Sequence, residues 1–304
     1  MIEINPFFFD PKELGKLATT HGEDYQKAHP FPHVVLDDFL PEWVLEQILA
    51  EFPAPDDIDW IERTSYGKIE QAEEGPSEVA YSLNKLESKN TSELGPFTRQ
   101  FFSEVNSRVF IEFLESLTGI GRLLPDPHLS GGGLHSIGSG GILRVHADFV
   151  WNERIRLDRR LNFLLYLNQD WKEDYGGELE LWDKEMIRAE KKILPIFNRC
   201  VIFSTSSTSF HGHTNPITCP KNQRRKSLAL YYYSNGRPEG EVTLGHKEET
   251  LWQATPDEGA RSTLAKRLLP PLLLDLVRYF RWKISLRKLL PPVFYEDRSP
   301  DSTK

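Results

Sequence analysis

One short motif in the sequence places two potential metal ligands on the same side of a strand. His146-Ala147-Asp148 lies at the end of an apolar segment, and residues two apart on a β-strand point to the same face. A third ligand could be His211 or His213, which follow the strand-like segment 200–204. Two imidazoles and one carboxylate can hold Fe(II) and leave coordination positions open for other molecules. The spacing therefore predicts an open, redox-active metal site.

A cationic segment lies downstream of these histidines. Gln223-Arg224-Arg225-Lys226 leads into the strand-like run from Ser227 to Ser234. A guanidinium fixed at the mouth of a barrel can hold a carboxylate through a bidentate contact. Arg225 is therefore the predicted anchor for a dicarboxylate whose other end binds the metal. Arg224 and Lys226 alternate with Arg225, so we expect them on a solvated basic rim.

Six strand-like segments without intervening helices carry these residues. They are Ile142–His146, Leu161–Asn168, Glu178–Trp182, Lys192–Pro195, Cys200–Ser204 and Ser227–Ser234. Because parallel strands need crossover connections, this succession predicts antiparallel pairing. An α+β protein with a barrel or jelly-roll sheet is favoured over a doubly wound parallel fold.

The N-terminal part is predicted to support this sheet. Residues 1–40 are rich in aromatic residues and proline, which predicts an irregular, extended cover. Helical spacing of apolar residues predicts a short helix after Pro41 and one long amphipathic helix from Pro96 to Thr118. The polar, turn-rich residues 53–95 are predicted to form loops, with a mobile lid as one option.

The C-terminal part has a different charge from the rest of the chain. Residues 260–290 contain eight Lys or Arg and the single acid Asp275, in a chain whose net charge is −8. Apolar and basic residues separate onto two faces at helical spacing, which predicts a basic amphipathic helix. Such a helix can pack on the sheet or lie on an anionic lipid surface, and the sequence leaves both alternatives open.

Composition excludes several classes of protein. The 45 Asp and Glu against 37 Lys and Arg give no basic patch for nucleic acid, so we expect no nucleic-acid partner. Only Cys200 and Cys219 are present, too few for a disulfide framework. The sequence contains no run of about 18 apolar residues, so it predicts no membrane span. The acidic N-terminus is unlike a targeting signal. We therefore expect a cytoplasmic protein, with peripheral membrane contact through residues 260–290 as an alternative.

Residues 128–235 resemble the catalytic domain of 2-oxoglutarate and Fe(II)-dependent dioxygenases of the prolyl 4-hydroxylase type. The resemblance covers about a third of the chain. The segments that carry it are His146-Ala147-Asp148, Arg160–Asn168 with Asp170-Trp171, Gly176–Leu179, Asn198–Phe203, Phe210–Gly212 and Arg225–Ala229. The order and spacing of these segments together make the resemblance specific.

The resemblance implies a fold, a set of cofactors and a reaction. The fold would be a double-stranded β-helix, a form of jelly roll. His146, Asp148 and His211 would bind iron, whereas Arg225 and Tyr166 would bind the far carboxylate of 2-oxoglutarate. His213, on the same strand face as His211, would be the rival ligand. The reaction would use dioxygen, with ascorbate as reductant, and would yield succinate and carbon dioxide.

Substrate and domain boundaries follow from the same resemblance. Because Asp148 retains a ligating side chain, hydroxylation of an unactivated C–H bond is favoured over halogenation. The substrate would be a prolyl or other residue of a peptide, an amino acid or a related small molecule. We predict an N-terminal cover over 1–127, a catalytic domain over 128–237 and a helical extension over 238–304. The alternative function is a non-catalytic jelly-roll module that keeps its metal for recognition.

Overall fold

The computed structural model describes residues 6–68, 78–238, 241, 250–253 and 255–256. The helices are α1 (Pro11–Lys27), α2 (Glu42–Ala50), α3 (Pro96–Val105) and α4 (Arg108–Thr118). The strands are β1 (His33–Leu36), β2 (Ile61–Lys68), β3 (Glu78–Ser88), β4 (Leu124–Pro125), β5 (Gly133–Ala147), β6 (Trp151–Asn152), β7 (Leu157–Tyr166), β8 (Leu179–Trp182), β9 (Ala189–Ile193), β10 (Cys200–Ser204), β11 (His211–His213), β12 (Arg225–Ser234) and β13 (Leu251–Trp252).

The chain divides into two compact units, Met1–Thr255 and Pro256–Lys304. The helix predicted over residues 260–290 lies outside the described residues, so its existence and its contacts stay predictions. The boundaries proposed at 127/128 and 237/238 also stay predictions. None of the helices in the described residues is long and apolar enough to cross a membrane.

All strands of the described residues belong to one antiparallel sheet, which confirms the pairing predicted from the sequence. The main path runs β1-β10-β7-β12-β5-β11-β8-β9, and β3 and β13 also pair with β5. β5 curls the sheet because its first half pairs with β12 and its second half with β11. Strands β3, β5, β7, β8, β11 and β12 thereby enclose a common cavity.

The bend in β5 depends on glycine. The sequence around Gly138–Gly141 indicates a break before a strand starting at Ile142, but the structure continues one strand through it. Gly140 has φ +77°, and a Cβ on Gly141 would lie 2.3 Å from the Ile137 side chain. A larger residue at these two positions would strain the backbone or collide with the strand itself.

The main core lies between the helices and the outer face of the sheet. Along β7, Leu161, Phe163 and Leu165 belong to this core, whereas the alternate residues Asn162 and Leu164 line the cavity. The Phe163 ring lies 5.7 Å from the ring of Phe110 on α4. Strict alternation along one strand thus separates an apolar support from a partly polar inner face.

Two helical predictions are corrected by the structure. Residues 11–27, predicted to be irregular, form α1, because Asp10 caps its first turn and Pro11 occupies the first helical position. The helix predicted from Pro96 to Thr118 is two helices, since the Ser107 hydroxyl accepts a hydrogen bond from the Phe110 backbone N–H and begins α4. The short helix predicted after Pro41 is confirmed as α2.

The prediction of loops over residues 53–95 is wrong for much of this segment. β2 and β3 form an antiparallel hairpin, and β3 pairs with β5 along the edge of the sheet. The pairing partner lies about fifty residues away in the sequence, so no local pattern reveals it. The hairpin brings side chains from the N-terminal part of the chain to the cavity.

Candidate metal and dicarboxylate site

His146, Asp148 and His211 lie together at one end of the cavity. His146 is near the end of β5, Asp148 follows that strand, and His211 on β11 is directly opposite His146. The Nε2 atoms of His146 and His211 lie 3.6 Å and 3.3 Å from the nearest Asp148 carboxylate oxygens. Two donors about 2.1 Å from one ion and at right angles would be about 3 Å apart. This donor set therefore fits a first-row metal ion with small adjustments.

Both histidine rings are held with Nε2 free to act as a ligand. The Nδ1–H of His146 donates to the backbone carbonyl of Arg144 at 2.7 Å, and that of His211 donates to the carbonyl of Ser209 at 2.9 Å. A carbonyl can only accept, so each ring carries a proton on Nδ1, and the neutral form of each ring has its lone pair on Nε2. Burial, followed by the neighbouring His211, lowers the pKa of His146 and favours the neutral ligand form.

A buried arginine holds Asp148. The Asp148 Oδ2 atom accepts hydrogen bonds from Arg159 Nη2 at 2.8 Å and from Asn162 Nδ2 at 2.7 Å. Burial alone would raise the pKa of Asp148, but Arg159 and then His211 outweigh it and hold this pKa well below its usual value. The Arg159 guanidinium lies 3.4 Å from the centre of the Tyr231 ring. Asp148 is therefore a fixed carboxylate with a defined orientation.

Arg225 lies on the wall of the same cavity. Its Nε–H donates to the carbonyl of Gly177 at 2.7 Å, and its Nη2 donates to the Tyr166 hydroxyl at 3.2 Å. These two bonds use only two of the five guanidinium N–H groups, and the residue is 6% exposed. Burial raises the pKa of Tyr166 despite the opposing effect of Arg225. The pair can therefore offer several donors to one anionic group.

The neighbours of Arg225 are less solvated than the sequence suggests. Arg224 and Lys226 alternate with Arg225 as expected, but both are half-buried. The Arg224 Nε–H donates to the Ser136 hydroxyl at 2.7 Å, and Lys226 Nζ lies 5.1 Å from the Phe52 ring centre. The predicted solvated rim is corrected to two half-buried cations, one hydrogen-bonded to β5 and the other close to the Phe52 ring.

His213 lines the same cavity but lies outside the three-residue group. Among the described residues, His146, Asp148 and His211 are the cluster whose ligand atoms all lie within 4.8 Å of one another. A register shift between His211 and His213 separates these two side chains. The Nδ1–H of His213 donates to the Asn215 carbonyl, and its buried Nε2 has no hydrogen-bond partner. Burial, then Arg225, lowers the pKa of His213 to about 3.

The cavity has a volume of about 90 Å³ and connects the two ends of the site. Its wall is formed by the residues Lys85, His135, Ile137, Leu143, His146, Asp148, Asn162, Leu164, Leu179, His211, Gly212, His213, Arg225, Ser227 and Tyr231. The structure thus brings four of the five predicted site residues to one cavity. Tyr166, the fifth, reaches the site through its hydrogen bond to Arg225.

Several residues at the site were not found from the sequence. Arg159 and Asn162 could have been noticed as polar residues of β7, whose second half is mostly apolar. Lys85 lies on the hairpin and Trp252 on β13, and both reach the site only through long-range pairing with β5. The Trp252 ring lies 4.7 Å from the His146 ring and stacks on Tyr81 at 4.8 Å. No local signal identifies these two residues.

Comparison with known proteins agrees with this geometry. Residues 132–233 match the family model of the 2OG-Fe(II) oxygenase superfamily. The resemblance inferred from the sequence is thereby confirmed. The 2OG-Fe(II) oxygenase match and the His-Asp-His group together support a dioxygenase that uses iron and 2-oxoglutarate.

Individual relatives are more distant. The protein is 33% identical over 79 residues to prolyl 3-hydroxylase OGFOD1 of Mus musculus, which is 25% of this chain and 14% of that relative. A prolyl hydroxylase from Trichoplax adhaerens has a TM-score of 0.44 at 17% identity, covering 73% of this chain and 91% of its own. A Pseudomonas putida prolyl-4-hydroxylase has a TM-score of 0.42 at 17% identity, covering 75% and 100%.

Proposed function

We propose that this protein is an Fe(II)- and 2-oxoglutarate-dependent hydroxylase. The observation that carries the proposal is that one small cavity joins three potential metal ligands to a buried, partly unpaired guanidinium. A structural metal site needs only the ligands, whereas Arg225 adds a binding point for an anion at the other end. A metal-bound dicarboxylate co-substrate requires both parts.

Each residue has a defined part in this proposal. His146, Asp148 and His211 would hold Fe(II), and Arg225 with Tyr166 would hold the far carboxylate of 2-oxoglutarate. With iron and 2-oxoglutarate bound, dioxygen would be the oxidant: one of its oxygen atoms would enter the C–H bond of the substrate, and the other would enter succinate, which forms with carbon dioxide from 2-oxoglutarate. The protein orients the co-substrate between these two points and keeps bulk water out of the cavity. Ascorbate would serve as reductant.

A prolyl residue of a peptide is the first candidate substrate. The name of the mouse relative supports a prolyl residue as the first candidate, but the aligned region covers only 14% of that protein. A different residue of a peptide, a free amino acid or a related small molecule would fit the same chemistry. Because Asp148 provides a carboxylate ligand, hydroxylation is the proposed outcome at the C–H bond.

Succinate formation tests the proposal. Purified protein is incubated with Fe(II), ascorbate and 2-oxoglutarate, first alone and then with proline-containing peptides and amino acids. We expect slow uncoupled turnover that Asp148→Ala abolishes, whereas Asp24→Ala, on the exposed face of α1, leaves it unchanged. Metal binding without any turnover, in every condition, would support the rival function of a non-catalytic jelly-roll recognition module.

We also propose a cytoplasmic location, with residues 260–290 as the segment for any peripheral membrane contact. The support is the local charge of the sequence, with eight basic residues against one acid. Co-sedimentation with vesicles containing anionic lipid tests the contact. Binding that falls as salt concentration rises would support it, and no binding to such vesicles would refute it.

A further inference from the structure

The β2–β3 hairpin places a lysine on the wall of the cavity, two strands away from Arg225 in the same sheet. Lys85 on β3 pairs with Ile137 on β5, and Ile137 pairs with Arg225 on β12. Residues directly opposite in antiparallel strands point to the same face of a sheet, and two strand spacings are about 10 Å. Long side chains from the two outer strands can therefore converge over Ile137. Both cations line the cavity.

The charge of Lys85 is only partly compensated by its carboxylate partner. Glu87 Oε1 lies 2.7 Å from Lys85 Nζ, while Glu87 Oε2 accepts a hydrogen bond from Arg63 Nε, also at 2.7 Å. One carboxylate thus faces two cations, and this group of three carries a net charge of +1. The Arg63 side chain is 51% exposed and the Lys85 side chain 11%, so the cation that faces the cavity is Lys85.

The other groups near Lys85 do not cancel this charge. His135 is buried, and burial followed by Lys85 lowers its pKa to about 3, so it is neutral at physiological pH. The charged residues in the described lining of the cavity are Lys85, Asp148 and Arg225. Asp148 is already paired with Arg159 at 2.8 Å. The end of the cavity near Ile137 therefore carries two positive charges that face inward.

The size of the cavity limits what can neutralise these charges. A volume of about 90 Å³ is on the order of six to nine probe volumes for a water molecule. This space suits one compact anion of about ten non-hydrogen atoms. A dicarboxylate that reaches the metal ligands from this end would fill it.

We propose that Lys85 is a second cationic contact for the far carboxylate of 2-oxoglutarate, shared with Arg225. The inference rests on the proposed function and adds a binding residue from outside the segment that matches the family. The hairpin would then contribute to co-substrate affinity as well as to the sheet. A purely structural role for the Lys85–Glu87 ion pair is the competing explanation.

Calorimetry on the Ni(II)-loaded, anaerobic protein separates the two explanations without measuring turnover. We expect Lys85→Met to weaken 2-oxoglutarate binding about 10- to 100-fold, as for loss of one charge-assisted hydrogen bond, and Lys85→Arg to restore most of it. Glu87→Gln breaks the same ion pair but keeps the lysine charge. We therefore expect Glu87→Gln to bind 2-oxoglutarate at least as tightly as the wild type.

A second ligand identifies the carboxylate. 2-Oxobutyrate has the 2-oxo acid group but lacks the far carboxylate, so Lys85→Met should not change its affinity. Equal weakening by Lys85→Met and Glu87→Gln, or no weakening by Lys85→Met, would overturn the proposal. Weakening of 2-oxobutyrate binding by Lys85→Met would overturn it as well.

Failure of the proposed function would give a different result. In that case the wild-type, Ni(II)-loaded protein would not bind 2-oxoglutarate at all. Arg225→Met and Lys85→Met would then have no 2-oxoglutarate affinity to lower. Thermal unfolding of each variant, recorded in parallel, shows whether it is folded before binding is interpreted.

Discussion

Replacement of Arg159 tests whether Asp148 is held in place by charge. The two side chains are 1% and 12% exposed, and Arg159 Nη2 lies 2.8 Å from Asp148 Oδ2. Arg159→Met keeps an apolar stem against Tyr231 but removes the cation. Of the two side chains that donate a hydrogen bond to Asp148 Oδ2, this variant would keep Asn162 and lose Arg159.

The expected cost follows from the burial of this pair. Removing one partner of a buried ion pair leaves an uncompensated charge and typically costs about 3–5 kcal/mol. That is a large fraction of the roughly 5–15 kcal/mol by which a domain is stable. We therefore expect the free energy of unfolding of metal-free Arg159→Met to fall by about 3–5 kcal/mol. A similar loss is expected for Asp148→Asn, which leaves the guanidinium buried and unpaired.

The double variant decides whether the loss comes from the pair. Urea denaturation in the presence of a chelator gives the free energy of unfolding for the wild type, both single variants and Arg159→Met with Asp148→Asn. Because the double variant has neither buried charge, it should be about 2–3 kcal/mol more stable than the sum of the single effects predicts. Additivity within about 0.5 kcal/mol would refute the reasoning. Lys16→Met, in an exposed ion pair on α1, is the control and should give no measurable change.

Three further predictions concern the rest of the site. Arg225→Met should weaken 2-oxoglutarate binding to the Ni(II)-loaded protein by about 100-fold or more, measured by calorimetry, whereas Arg224→Lys on the opposite strand face should not; equal effects would contradict the assignment. Glu87 has its pKa lowered to about 2, because Lys85 and then His135 outweigh the raising effect of burial, so its stabilisation is present above about pH 4.5 and is lost as pH falls towards 2. Between about pH 6 and pH 3, the wild type should therefore lose about 2 kcal/mol more of its free energy of unfolding than Glu87→Gln loses. The same pH dependence in both proteins would contradict this. Trp252→Ala should weaken Ni(II) binding about tenfold by removing the ring that packs on His146, whereas Tyr81→Phe, which keeps its aromatic ring, should not.

Local sequence patterns predict the part of the site that depends on local geometry. His146 and Asp148 could be recognised because alternation along a strand fixes the relative direction of residues two apart. The same reasoning could not choose between His211 and His213, because they are two residues apart and would point to the same face of a strand. The register shift after His211 separates them, and such an irregularity arises from pairing with β5 rather than from the segment itself.

The remaining parts depend on contacts between distant segments. Lys85 and Trp252 lie on strands that are defined by their pairing with β5, and the segments themselves are polar or short. The prediction for α1 is wrong for a different reason: the prolines of residues 1–40 indicate breaks, but Pro30 and Pro32 follow the end of the helix. Asp10 and Pro11 were the relevant start signals. The caps at Asp10 and Ser107 mark the starts of α1 and α4, and the spacing of apolar residues does not indicate these starts.

The two ends of the cavity would select their ligands by different physical means. At the metal end, the carboxylate charge of Asp148 is matched by Arg159, so the donor set attracts a cation weakly over long distances. Affinity there has to come from orientation, which backbone carbonyls provide for His146 and His211 and Asn162 provides for Asp148. At the other end, Lys85 and Arg225 leave net positive charge in a buried space, where electrostatic attraction is strong. A small dianion would therefore be drawn by charge towards one end and held by geometry at the other, which would fix the direction in which it binds.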